Sequence, residues 1–165
     1  MPKVGQPELY ALLEEMGIGY DYIEHPEART VEEALRYCAG FEGRHCKNIF
    51  LRNHKGDKHY LVVVDCHHTV DIRRLWETLG EGRLSFASEQ RLMRFLGVRP
   101  GSVSPFGLIN DIGREVTLYL DENLRQAERL SFHPNDNRAS ISVTLPDLMR
   151  FLDRLGNRRE WRSLY

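Results

Sequence analysis

The sequence is short of most features that assign a chain quickly, and each shortage removes a class. No apolar run approaches the ~20 residues of a membrane-spanning helix, so no membrane partner is expected. Its three cysteines, Cys38, Cys46 and Cys66, are odd in number and lack CxxC spacing, which argues against a disulfide framework and for a reducing compartment. The opening MPKVGQPELY has neither the apolar centre of a secretory signal nor the Arg/Ser-rich character of a transit peptide, so a cytoplasmic location is expected. No GxSxG elbow frames Ser102 or Ser104, and no His/Asp partner follows from spacing, which argues against a covalent serine mechanism. His45-Cys46 and Cys66-His67-His68 supply soft ligands, but their spacing matches no metal pattern, and on a strand His67 would face away from its neighbours. No metal and no cofactor are therefore expected. Repeats, linkers and low-complexity runs are missing too, and 165 residues suit one domain over 1–165.

Charge is nearly balanced at −1 overall, but unevenly spread. Residues 1–40 carry three basic and eight acidic side chains; the remainder carries twenty and sixteen. That distribution suits local contact with a few phosphates rather than a long basic groove. Periodicity predicts helices over Pro7–Met16, from Thr30 through Tyr37, Asp71–Leu79, from Ser88 to a stop at Gly97, and from Thr144 to Leu155. Strands are predicted at Tyr20–Glu24, Asn48–Arg52, His59–Cys66, Leu84–Ala87, Glu115–Leu120, Arg129–Phe132 and Ala139–Val143, the second and third forming a hairpin across NHKGD. Irregular interleaving of strands and helices predicts an α+β domain whose mixed, strongly twisted sheet of about six to seven strands is flanked by helices.

The most distinctive segment is Gly97 to Asp111, GVRPGSVSPFGLIND, with three glycines, two prolines and two serines. Such a loop is bare and stiff, suited to bringing main-chain N–H groups to a ligand, although an ordered connector is the commoner use. Gly101, Ser102 and Val103 are candidate backbone donors to a carbonyl. Ser104, Pro105, Phe106 and Gly107 are candidate walls of a substrate pocket. Lys47 heads the apolar run Asn48-Ile49-Phe50-Leu51, where an ammonium could hold a phosphate or polarise an ester. A solvated strand-end lysine is the simpler account. Asn48 would line an opposite wall if the strand has already begun. His133, before Pro134, could act as a base near neutral pH, or could brace the turn and bind a substrate amino group. Candidate phosphate contacts are Lys55, Lys58, Arg73, Arg74 and Arg83, or the C-terminal Arg150, Arg154, Arg158, Arg159 and Arg162.

Lys47-Asn48, PGSVSPFGL followed by Asn-Asp, and the FHPNDN turn together resemble the free-standing prolyl-tRNA editing domains of the YbaK/ProX-like aminoacyl-tRNA deacylases, from about Pro7 to the last helix. The resemblance implies the editing-domain fold and hydrolysis of a mischarged aminoacyl ester. It places Lys47 near that ester and the terminal adenosine, a Gly-to-Pro segment (Gly101 and Pro105) at the pocket wall, and a basic residue at Arg83 on the tRNA. The partners it implies are the acceptor end of mischarged proline tRNA and prolyl-tRNA synthetase. It also suggests alanine as the amino acid removed. A synthetase pocket that admits proline cannot exclude alanine sterically, since lost methylenes discriminate only about 10–200-fold, so a second, smaller sieve is needed. Removal of serine or cysteine, a non-catalytic tRNA- or synthetase-binding module, and a metal-dependent hydrolase are the alternatives.

Overall fold

The computed structural model describes residues 2–165. Its elements run α1 (Pro7–Glu15), β1 (Asp21–Glu24), α2 (Val31–Tyr37), β2 (Arg44–Asn53), β3 (His59–Asp65), α3 (Ile72–Leu79), β4 (Leu84–Phe86) and α4 (Glu89–Leu96). A 3-10 helix (Pro105–Asn110), β5 (Val116–Asp121), a second 3-10 helix (Glu122–Gln126), β6 (Arg129–Phe132), β7 (Ala139–Thr144), α5 (Leu145–Leu155) and β8 (Arg159–Arg162) follow. The helix boundaries have local causes. Thr30, Asp71, Ser88 and Thr144 accept a backbone N–H three residues on, and Gly80, Gly97 and Gly156 end α3, α4 and α5 in the left-handed conformation.

The sheet is mixed, in the order β1-β7-β6-β2-β3-β5-β8, with β4 also paired to β2. Pairs β2/β6, β3/β5 and β5/β8 are parallel, the rest antiparallel. This matches the expected α+β class, with eight strands instead of six to seven. The extra strand, β8, lies in a stretch whose arginines obscured its extended character.

Two apolar clusters sandwich the central strands. The larger joins α1, α4, α5 and the first 3-10 helix through Leu9, Leu13, Phe95, Phe106, Leu118 and Phe151. The smaller packs α3 on the other face through Leu51, Val62, Val64, Leu75, Leu79 and Tyr119.

Strand β2 is paired unevenly along its two edges. Along one edge, Cys46 to Arg52 pair with β3 without a break. Along the other, Arg44 and His45 pair with β6, Leu51 to Asn53 pair with β4, and the stretch between has no strand neighbour. The sheet therefore divides at β2 and leaves a gap there.

Candidate active site

A cavity of about 260 Å³ fills that gap. Its walls are the open edge of β2 (His45 to Ile49), the start of α2 (Thr30, Val31, Ala34), the ends of β6 and β7 (Ser131, His133, Ser140), and Gly101 and Val103 of the glycine-rich loop. Alternation explains how β6 and β7 contribute. Leu130, Phe132, Ile141 and Val143 belong to the main core, so Ser131, His133 and Ser140 turn to the opposite face, under α2.

Consecutive residues of β2 reach the cavity because an edge, not a face, is open. The His45 carbonyl accepts from Cys66 N–H and Asn53 N–H donates to the Lys58 carbonyl, so odd-numbered backbone groups point to β3. The even-numbered Cys46 and Asn48 then aim theirs away from β3; the Cys46 carbonyl accepts from Asn48 Nδ2 at 3.4 Å, and the Asn48 backbone faces the gap. Strand β2 begins at Arg44, so Lys47 lies within the strand and not at its head. Its Nζ donates to the His68 carbonyl at 2.6 Å, which fixes the side chain at the cavity wall and leaves two donors free.

Two polar atoms at this site are buried without a partner among the described residues: Asn48 Oδ1 and Ser131 Oγ. Ser131 is 98% buried, its exposure being 2%. Orphaned polar atoms are uncommon in native interiors, and a lining that holds two is suited to a polar ligand that completes them. His133 Nδ1 stands 2.7 Å from the Ala139 carbonyl, which can only accept, so Nδ1 carries the proton and the neutral ring keeps a lone pair on Nε2. Burial lowers the pKa of His133, and His25 and His45 nearby push the same way. His45 is lowered too, again chiefly by burial.

Of the residues singled out in the sequence, Lys47, Asn48, Gly101, Val103 and His133 come together here. The others do not. Ser102 lines a different cleft and its N–H donates to the Arg99 carbonyl, so it offers no free backbone donor to this cavity. Ser104 is fully buried and caps the 3-10 helix by accepting from Phe106 N–H. Pro105, Phe106 and Gly107 are buried in that helix and line no part of this cavity. Phe106 meets Phe132 and Phe151 edge-on at 5.6 and 5.4 Å. A side chain at Gly107 would meet Leu96 Cβ at 3.1 Å, so that glycine permits helix packing. Arg83 is exposed beside Leu84, which pairs with Asn53, six residues along β2 from Lys47 or roughly 20 Å.

Sequence reasoning missed Ser131, Ser140, Cys66 and the start of α2. Only the alternating burial along β6 and β7 carries a signal for the serines, and nothing local shows which face is covered by α2. Asp65, the last residue of β3, and Cys66 and His67 in the turn that follows place one ligand atom each within 4.8 Å of one another. The Asp65 carboxylate already pairs with Arg44 at 3.6 Å, and burial holds the Cys66 thiol protonated. No helix among the described residues is long and apolar enough to cross a membrane.

Comparison with known proteins finds relatives over most of the chain. Residues 25–151 match the model of the aminoacyl-tRNA editing domain. The prolyl-tRNA editing protein ProX of Acetoanaerobium sticklandii is 40% identical over 147 residues, 89% of this chain and 90% of that protein. The prolyl-tRNA synthetase associated domain-containing protein 1 of Danio rerio is 36% identical over 148 residues, 88% and 80% of the two chains. Among solved structures, one described as a candidate trans-editing enzyme for prolyl tRNA synthetase superposes with a TM-score of 0.69 at 26% identity, covering 96% of this chain and 98% of that one.

Proposed function

The chain belongs to the aminoacyl-tRNA editing-domain family, whose members are deacylases, and on that premise we propose that it hydrolyses mischarged alanyl-tRNA of proline acceptors in trans. The observation that carries this reading is the cavity on β2: a tethered ammonium, a free backbone edge and two orphaned polar atoms around about 260 Å³. That volume lies below the ~300–1,000 Å³ of ordinary ligand pockets, a fit for a small aminoacyl ester. The prolyl-tRNA editing protein among its relatives supports the choice of tRNA and of prolyl-tRNA synthetase as the enzyme whose errors it clears.

An aminoacyl ester is already activated, so positioning, polarisation and a held water suffice. Lys47 Nζ and the Asn48 N–H polarise the carbonyl as its oxygen gains charge. The His133 Nε2 lone pair and Asn48 Oδ1 accept from the α-ammonium. Gly101 and Val103 close the wall across from β2, where the bare glycine lets the chain come near. Ser102, Ser104, Pro105, Phe106 and Gly107 act indirectly, holding that loop in place. Arg83 contacts nucleotides away from the ester.

One observation favours a second substrate. The Ser131 hydroxyl, buried and unpartnered, could receive the side-chain hydroxyl of a seryl ester. Single-turnover release from alanyl-, seryl-, cysteinyl- and prolyl-esters of proline tRNA separates these cases. Fastest release of alanine, with the prolyl ester spared, is the expected result. Fastest release of serine or cysteine would reassign the substrate, and no release from any ester would leave a binding module.

A further inference from the structure

Away from the cavity, the arginines fall into two groups. Arg150, Arg154, Arg159 and Arg162 each meet a carboxylate within 4.0 Å. Arg52, Arg91 and Arg94 meet none among the described residues; Arg52 and Arg91 converge on the β2–β3 turn, and Arg94 lies nearby, 5.0 Å from the centre of the Phe95 ring.

Two of these three are held in place by neutral acceptors. Arg91 Nη1 donates to the Gly56 carbonyl at 2.9 Å and lies 2.7 Å from His59 Nε2. Arg52 donates from Nε to the Asn53 carbonyl at 3.1 Å and from Nη2 to the His54 carbonyl at 2.9 Å. Their tips meet over Gly56, where a side chain would come 3.0 Å from Arg91 Nη2 and 3.1 Å from Arg52 Nη2. At a φ of +80°, that glycine lets the turn form and leaves the space above it to the two guanidiniums. His59 is 3% exposed and pushed down to about 4, by burial first and then by Arg91, Arg94 and Arg52. It therefore stays neutral and can accept from Arg91. The carboxylate on the turn, Asp57, is engaged by Asn53 Nδ2 at 2.7 Å and by Lys55 at 3.8 Å.

Guanidiniums fixed by carbonyls have no negative charge beside them, unlike those fixed by carboxylates, and like charges are brought together here at a cost that an anion would relieve. We propose that Arg52 and Arg91, with Arg94 beside them, form a phosphate clamp for the RNA backbone, a second contact for the substrate of the cavity. The span fits this use. Lys47 and Arg52 are five residues apart on one strand, about 17 Å, which is the order of the few unpaired nucleotides between a tRNA's aminoacyl ester and its first base pair. The choice of RNA rests on the proposed function, whereas the anion site stands on the arginines alone.

The test is direct binding of uncharged proline tRNA and of inorganic phosphate, compared among wild type, Arg52→Gln/Arg91→Gln and Arg150→Gln/Arg154→Gln, with salt varied. Binding does not require turnover, so a failure of the catalytic reading leaves this test intact. The first double variant should weaken tRNA binding about tenfold and flatten the salt slope by about 1–2 charges, and the second should change neither. Arg52→Lys/Arg91→Lys, which keeps the charge, should restore most of the loss and guards against a turn that has merely unfolded. Unchanged tRNA affinity in the first variant, an equal loss in both double variants, or loss of phosphate binding without loss of tRNA binding would overturn the clamp.

Discussion

The two halves of the loop from Gly97 to Asp111 have similar composition and opposite fates. Gly101 and Val103 line the cavity, while Ser104 to Leu108 turn inward, form a 3-10 helix and fill the main core. The reason lies in what each half meets. Ser104 caps the helix that follows, Phe106 finds two aromatic partners, and Gly107 lets that helix lie against the end of α4. The first half meets the gap in β2 instead, and Gly101 passes the Asn137 side chain that clasps the Ala28 carbonyl. A loop rich in glycine and proline thus marks a place where backbone comes close to something. Whether that is a ligand or the protein's own core depends on the partner surface.

Substitutions should separate the two halves. Phe106→Ala removes a fully buried ring and should cost about 3–5 kcal/mol of stability, read as a lower urea midpoint at unchanged m. A loss below 1 kcal/mol would mean that Phe106 is not a core residue.

The histidines extend the contrast to pH. His59, whose ring centre lies 4.1 Å from that of Phe95, is pushed down to about 4, whereas an unfolded imidazole titrates near 6.5. Between those values the unfolded chain binds more protons, so stability should fall by about 2 kcal/mol as pH drops from about 6.5 to 4. The lowered pKa of His45 and His133 adds to the same slope. Urea titrations of wild type and His59→Phe across that range check it, and an equal slope in both would clear His59. Activity should report His133 separately: burial lowers its pKa, so the acid limb of the rate profile should lie below that of an ordinary imidazole.

Gly101→Ala forces an alanine to a φ of +89° and puts its Cβ 3.2 Å from Asn137 Nδ2. That should cost about 1–2 kcal/mol in strain and raise KM by shifting the cavity wall. Ser131→Ala should be smaller still. Because the hydroxyl has no protein partner, stability should change by less than about 0.5 kcal/mol, with the effect confined to KM and to the preference among amino acids. A Ser131→Ala enzyme identical to wild type on every ester would remove this residue from the site.

Much of the fold could be read in the sequence because its boundaries are set locally. Thr30, Ser88, Gly97 and Thr144 cap their helices where the pattern predicts, and the hairpin across NHKGD forms as expected. The length of β2 was not legible, because His45 to Lys47 are polar for a reason that emerges only when β6 and β4 part from the strand. Lys47 and His133, which the family's motifs single out, line one cavity. Ser131 was not legible, since a serine on a strand says nothing about what covers it. Nor did the arginines reveal which were free, because pairing joins residues far apart, as Arg154 to Glu15.

The most direct test of the account is single-turnover deacylation of alanyl-tRNA of proline acceptors by wild type and Lys47→Ala, with thermal unfolding of both. If the gap in β2 is the reaction site, the substitution should cut the rate by about 10²–10³ and leave the unfolding temperature nearly unchanged. Release at the wild-type rate from a folded Lys47→Ala protein would contradict it and move the chemistry elsewhere.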